Sequence, residues 1–181
     1  MYYINMEAIM AYDLNNGISK NGIIPWKSKT DLNFFYNITK GNIVIMGRNT
    51  FFSLPDNCRP LKNRVNIVLT NNPTYYSYDE KYIKIHELIF TNNEKIYEEI
   101  LQNSNKYNQM YPFLNTNFKI IIIGGKQIYE KYFPLCKTVW VTRIKNNYQC
   151  DLVIKYDFEK QFKENCICAE DKELIIVKYF N

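Results

Sequence analysis

At 181 residues, 46% hydrophobic and 16% aromatic, the chain suits one compact domain over residues 1–181 with a sizeable core. Its net charge of +5 is spread without a block of like sign, which argues against a nucleic-acid stripe and fits a cleft for a small anion. No apolar run approaches the ~20 residues of a membrane span, and the opening MYYINMEAIM has neither a basic leader nor a small-residue cleavage site, so a cytoplasmic protein is expected.

In chain order, MEAIMAY, GNIVIMG, RVNIVLT, KIIIIGG, TVWVTRI and ELIIVKYF are apolar runs rich in β-branched and aromatic residues, which favour strands. Their continuity predicts strands covered on both faces. Helices are expected at 28–39, 48–53, 92–102 and 126–132, alternating with the strands. This predicts a three-layer α/β fold: a mainly parallel twisted sheet of about eight strands with helices on both faces. Two closing strands, 155–163 and 173–180, are expected to form an antiparallel C-terminal hairpin at one edge. Segments 71–80 and 103–117 read as irregular surface insertions.

Cys58, Cys136, Cys150, Cys166 and Cys168 are odd in number and lack CxxC spacing, and His86 is the one histidine. Free thiols are expected, with no metal centre; Cys166-x-Cys168 reads as a turn.

The most informative stretch is ISKNGIIPWKSKTDLNFFYNIT at 18–39, where Pro25-Trp26 precedes a single acid, Asp31, opening an aromatic-rich helix. Leu32, Phe34, Phe35, Tyr36 and Ile38 offer little to hydrate an anion, so the Asp31 pKa is expected to rise unless a cationic ligand meets it. Alternatively, Ser28-Lys29-Thr30-Asp31 is a capping box, with Asp31 merely satisfying amides at a helix start.

Two further motifs stand at strand ends, and a third lies within a strand. Val44-Ile45-Met46-Gly47-Arg48-Asn49-Thr50 runs from a buried strand through glycine to a helix start, where free amides favour phosphate. Ile121-Ile122-Ile123-Gly124-Gly125 brings another strand to a double glycine, where side-chain-free backbone permits close approach of a ligand. A full GxGxxG is absent. Thr142 is one hydroxyl among apolar neighbours in VWVTRI.

Together these motifs resemble the dihydrofolate reductase family, in register at Ile24-Pro25-Trp26, Asp31, Phe35 and Thr39, with matches in family order from about residue 6 to residue 151. The resemblance implies NADPH-dependent reduction of 7,8-dihydrofolate to tetrahydrofolate. Asp31 would hold the pterin, Thr142 would orient Asp31, and the N5 proton would arrive through water near Trp26 and a mobile loop at 14–25. Ile9, Ala11, Phe35, Leu54, Leu61 and Ile123 would line the substrate slot, and Arg64, in RPLKNRVN, would grip the substrate's α-carboxylate. Cofactor contacts would fall to Ala11, Ile18, Gly47, Arg48, Asn49, Thr50, Thr70, Asn71, Gly124, Gly125, Lys126, Gln127, Ile128 and Tyr129, with an unusual Gly124-Gly125 peptide lining the cleft.

Two departures stand out. Ser19 occupies a family glycine position and is expected to carry a costlier backbone angle. Thr70-Asn71-Asn72 lacks the arginine that often meets the cofactor's 2′-phosphate, leaving Arg48 and Lys126 to discriminate NADPH from NADH. The resemblance also extends to reductase domains fused ahead of thymidylate synthase. Two rivals stay open: a pyrimidine reductase of flavin synthesis with a similar fold, against which Arg59 and Arg64 together argue for a carboxylate tail, and a non-catalytic folate- or RNA-binding module.

Overall fold

The computed structural model describes residues 6–181. In chain order the strands are β1 (Met6–Tyr12), β2 (Gly17–Ser19), β3 (Ile43–Gly47), β4 (Val65–Leu69), β5 (Leu88–Thr91), β6 (Ile120–Gly124), β7 (Thr138–Ile144), β8 (Leu152–Val153), β9 (Glu164–Glu170) and β10 (Leu174–Phe180). The helices are α1 (Lys29–Thr39), α2 (Arg48–Ser53), α3 (Pro73–Ser77), α4 (Ile96–Gln102), α5 (Ser104–Met110), α6 (Lys126–Tyr132) and α7 (Phe158–Gln161). Eight strands form one sheet in the order β5-β4-β3-β6-β1-β7-β10-β9, and β2 pairs with β8 apart from it. Every pairing from β5 across to β7 is parallel, whereas β7-β10 and β10-β9 are antiparallel. The expected mainly parallel sheet with a C-terminal hairpin at one edge is what forms.

Side chains alternate between the two faces of each strand, so each face has its own core. Ala8, Met10, Ile45, Ile67, Ile120 and Ile122 pack with Ile96, Ile100 and Tyr132 from α4 and α6. Ile9, Val44, Met46, Ile121 and Ile123 face the other way, against Phe34, Phe35 and Ile38 of α1 and Phe51 of α2. The helices therefore cover both faces, and the β-branched runs of the middle strands are wholly buried.

Several boundaries differ from expectation. The segment 155–163 is a loop and the short helix α7, because Phe158 and Phe162 reach the core from a helical turn. The closing strand pair is β9 with β10, which places Cys166 and Cys168 in a strand, with a bulge at Cys168, and not in a turn. Strand β5 lies in the unassigned LIFT before α4, whose first residue is Ile96. Segment 103–117 is not wholly surface: it holds α5, and Tyr107, Tyr111 and Leu114 are buried. Segment 71–80 holds the short α3. Among the described residues no helix is long and apolar enough to cross a membrane, and no group of three metal-ligating side chains converges.

Candidate active site

Asp31 lies in the first turn of α1. The helix begins there because Ser28, extended at the N-cap, accepts the Asp31 backbone N–H at 3.2 Å. The cap is thus the serine hydroxyl, and the Asp31 carboxylate is left for other partners. It is half-buried and, among the described residues, makes no ion pair. Burial raises its pKa above the ordinary 3.8, opposed by hydrogen bonding to Thr142 and Trp26. The surroundings differ from expectation in one respect: Leu32 is 65% exposed and Tyr36 40% exposed, because residues one and five positions on fall off the helix stripe facing the sheet. Desolvation comes from the sheet and Trp26 instead.

Thr142 is buried on β7, opposite Ala11 of β1 on one side and Ile176 of β10 on the other. Trp26 is buried among Ile144, Leu174 and Ile176, with its ring 5.7 Å from that of Tyr148. Its Nε1–H, close enough to weigh on Asp31, has no partner of full hydrogen-bond geometry. A buried donor turned toward a carboxylate without an ion pair makes a polar end to an otherwise apolar slot. Ile9 and Leu61 are buried along that slot, Phe35 and Leu54 are half-buried, and Ile123 lies in the same core.

At the far end of α1, Arg64 is 5% exposed; its Nη1 donates to Thr39 Oγ1 at 2.9 Å and its Nε to Lys62 O at 3.0 Å. Its guanidinium carbon stands 5.5 Å from the Tyr36 ring centroid. No carboxylate of the described residues pairs with it. Arg59 behaves otherwise. It pairs with Asp56 and donates to Phe52 O and Leu54 O, so it is committed to its own loop and does not join Arg64.

The two glycine motifs meet because β3 and β6 are neighbours, with Met46 opposite Gly124. The Gly124-Gly125 peptide is cis. A Cβ on Gly125 would stand 3.0 Å from Thr50 Oγ1, and one on Gly47 would stand 3.1 Å from Ile128 Cγ1. Tyr129, buried beside Gly124, donates its hydroxyl to Ile9 O at 2.8 Å. Ile18 is buried, Lys126 is half-buried, and Arg48, Asn49, Asn71 and Gln127 are exposed around this cradle. Lys126 lies 3.8 Å from Glu130, and Arg48 donates to Asn49 Oδ1 at 3.1 Å. Thr70 follows β4 directly, with its N–H bonded to Thr91 O.

A sequence profile of the family described as dihydrofolate reductase matches residues 5–175. The chain belongs to the dihydrofolate reductase family. It is similar to the dihydrofolate reductase of Ureaplasma parvum, 33% identical over 153 residues that cover 84% of this chain and 83% of that protein. It is also similar to that of Aedes albopictus, 30% identical over 152 residues covering 79% and 75%. The bifunctional dihydrofolate reductase-thymidylate synthase of Paramecium tetraurelia is 35% identical over 160 residues, which are 87% of this chain and 29% of that longer protein.

Against the family pattern, Ser19 sits in strand β2, outside the left-handed region. Positive φ falls instead to Asn16 at 61°, Asn21 at 51° and Gly22 at 78°, residues suited to it. The substitution at Ser19 therefore meets no such penalty. The glycine this reductase loop needs is Gly17, whose added Cβ would lie 2.3 Å from Cys150 Cβ.

Sequence reading missed Asp13. Buried at the end of β1, its carboxylate accepts the backbone N–H groups of Asn15 at 2.9 Å, Gly17 at 2.8 Å and Tyr148 at 2.9 Å. Burial pushes its pKa up, but these amides and the Cys150 thiol prevail and hold it below 3.8. Asp13 thereby pins the start of the 14–25 loop to the loop after β7 that carries Tyr148, the neighbour of Trp26. Asp13-x-x-x-Gly17 after an apolar strand was the available signal, though it reads equally as an ordinary Asx turn.

Proposed function

We propose that the protein reduces 7,8-dihydrofolate to tetrahydrofolate with NADPH, as one reductase domain over residues 1–181 working in the cytoplasm. The observation that carries this reading is a half-buried Asp31 that makes no ion pair among the described residues and lies beside the buried Trp26 N–H. Such a carboxylate is complementary to a flat heterocycle presenting an amino group and a ring N–H, and favours its protonated form.

A nicotinamide cofactor fits the glycine cradle, because Gly47 and Gly125 leave space that a Cβ would fill against Ile128 and Thr50. When bound, NADPH would supply the hydride received at pterin C6. The chain's own groups do the rest. Asp31 would hydrogen-bond the 2-amino group and ring N3, and Thr142 would hold the carboxylate in its plane. Trp26 and the 14–25 loop would admit the water that protonates N5 and then exclude bulk solvent. Ile9, Ala11, Phe35, Leu54, Leu61 and Ile123 would fix the pterin and benzoyl rings, and Arg64 would take the α-carboxylate. Ile18, Thr70, Asn71, Asn49 and Gln127 would border the cofactor, with Arg48 and Lys126 supplying its cationic contacts.

The test is the loss of reduced-nicotinamide absorbance with dihydrofolate as sole substrate, run in parallel with a ribosylated aminopyrimidine. Turnover of dihydrofolate alone supports the assignment. Turnover of the pyrimidine alone, or of neither, overturns it.

A further inference from the structure

The face of the sheet turned away from Asp31 carries a cleft of about 420 Å³ that the reductase site does not use. Strand alternation creates it. Ala11 pairs with Thr142 on the Asp31 side, so the next pair, Tyr12 with Arg143, projects from the reverse face. Tyr179 of β10 joins them there, and Tyr156, Phe158 and Glu159 close the cleft from the segment at α7. The walls are therefore aromatic around one guanidinium.

Arg143 hydrogen-bonds Tyr12, donates through Nη2 to the Tyr179 hydroxyl, faces Glu159 at 3.6 Å, and stands 5.7 Å from the Tyr179 ring centroid. Its Nε–H, however, is buried without a partner, and so is the Tyr156 hydroxyl. Five buried side-chain atoms of the described residues are unpartnered in this way, and two of them belong to residues lining this one cleft. A third is the Trp26 N–H at the reductase site. Native interiors avoid unmet polar groups, so two of them in one aromatic cleft are grounds for expecting an acceptor-bearing ligand.

Charge selects the acceptor. Arg143 and Lys155 face the cleft against Asp157 and Glu159. Asp157 is engaged at the start of α7, accepting the Lys160 N–H at 3.1 Å and lying 3.2 Å from Lys160 Nζ. Glu159 is 71% exposed, and its contact with Arg143 is long, so it yields readily to a competing anion. We propose that the reverse-face cleft is a second small-molecule site, for an aromatic carboxylate. Its carboxylate displaces Glu159 from the Arg143 guanidinium and takes the Nε–H and the Tyr156 hydroxyl as these side chains turn into the cleft, and its ring lies against Tyr12, Phe158 and Tyr179.

The experiment is a backbone amide NMR titration with benzoate and, separately, benzamide, with NADP and folate saturating the reductase site. Benzoate is expected to shift the amides of Tyr12, Arg143, Phe158, Glu159 and Tyr179 saturably, and benzamide far less. Arg143→Met should weaken benzoate by about tenfold or more and Tyr156→Phe by about fivefold, as loss of a charged and of a neutral hydrogen bond predicts. Tyr156→Phe keeps the ring packing and serves if Arg143→Met does not fold. The proposal is overturned if no saturable shift occurs, if benzamide binds as well as benzoate, if the shifts centre on Asp31, or if the folded variants bind unchanged.

Discussion

Replacing Asp31 by Asn separates a functional carboxylate from a structural one, because the two readings move stability in opposite directions. Asn keeps the shape and, with Ser28 still capping the Asp31 position's N–H, keeps the helix start. Two hydrogen bonds from substrate to a charged acceptor would be lost, at about 1.5–3 kcal/mol each. The sum is roughly 3–6 kcal/mol, or two to four orders of magnitude in kcat/KM near neutrality. The fold should respond with the opposite sign. Because burial raises the Asp31 pKa above 3.8, ionisation of this group opposes folding above that pH, and the penalty is absent in stronger acid where both states are protonated. Asp31→Asn should therefore stabilise the free protein by about 0.5–2 kcal/mol at neutral pH, raising Tm by a few degrees, with the gain disappearing below pH 3.8. Turnover should partly recover in mild acid, where substrate arrives already protonated. Steady-state kinetics and thermal unfolding over the same pH range read both effects. Loss of activity together with loss of stability would make Asp31 part of the helix start, and unchanged neutral turnover would remove it from the mechanism.

Asp13→Asn should destabilise the protein by about 2–4 kcal/mol, since one charged acceptor serves several donors. The depressed folded pKa contributes stability above pH 3.8 that is lost as pH falls through the lower folded value, so urea midpoints of wild type and variant should converge in acid. Gly125→Ala, whose Cβ would stand 3.0 Å from Thr50 Oγ1, should raise the NADPH KM about tenfold, and adding Thr50→Ala should restore part of it. With exposed Arg48 and half-buried Lys126 as the available cations, preference for NADPH over NADH should be about tenfold, and equal turnover at low cofactor concentration would contradict it.

What the sequence made legible follows from how local each signal was. The central strands announced themselves because burial on both faces demands uninterrupted Val and Ile, as in Ile43–Gly47 and Ile120–Gly124. Strand β9 did not: ENCICAE is almost wholly exposed and is a strand only because β10 pairs with it. Helix α5, SNKYNQM, is built from weak helix formers and is held by burying Tyr107, a tertiary cause. At the site, Gly47 and Gly124 could be read one at a time, but their adjacency depends on β3 and β6 being neighbours across 76 or 77 intervening positions of chain. Asp13 showed only its local Asx turn, because the partner that gives it reach, Tyr148, lies 135 residues away. Arg59 was misleading for the reverse reason, since its partner Asp56 is three residues off and invisible as a commitment until the turn is seen.

Helix α1 acts as a ruler for a carboxylate-tailed substrate. Asp31 opens the helix and Thr39 closes it, eight positions on, and at 1.5 Å per residue that is about 12 Å. An anion stands at one end, and a buried cation, Arg64 bonded to Thr39 Oγ1, stands at the other, neither with an ion-pair partner among the described residues. A ligand with a protonatable ring and a distant carboxylate would neutralise both, whereas one lacking the tail would leave Arg64 unmet. The amide of dihydropteroate, which carries neither the glutamate nor a benzoate carboxylate, should therefore lose about 2–4 kcal/mol of transition-state binding, or roughly 30- to 1000-fold in kcat/KM. Arg64→Met should lower dihydrofolate turnover by a similar factor while changing turnover of that amide little, so the two substrates become nearly equal for the variant. If the ratio between them survives in Arg64→Met, the tail is held elsewhere and the ruler does not measure this substrate.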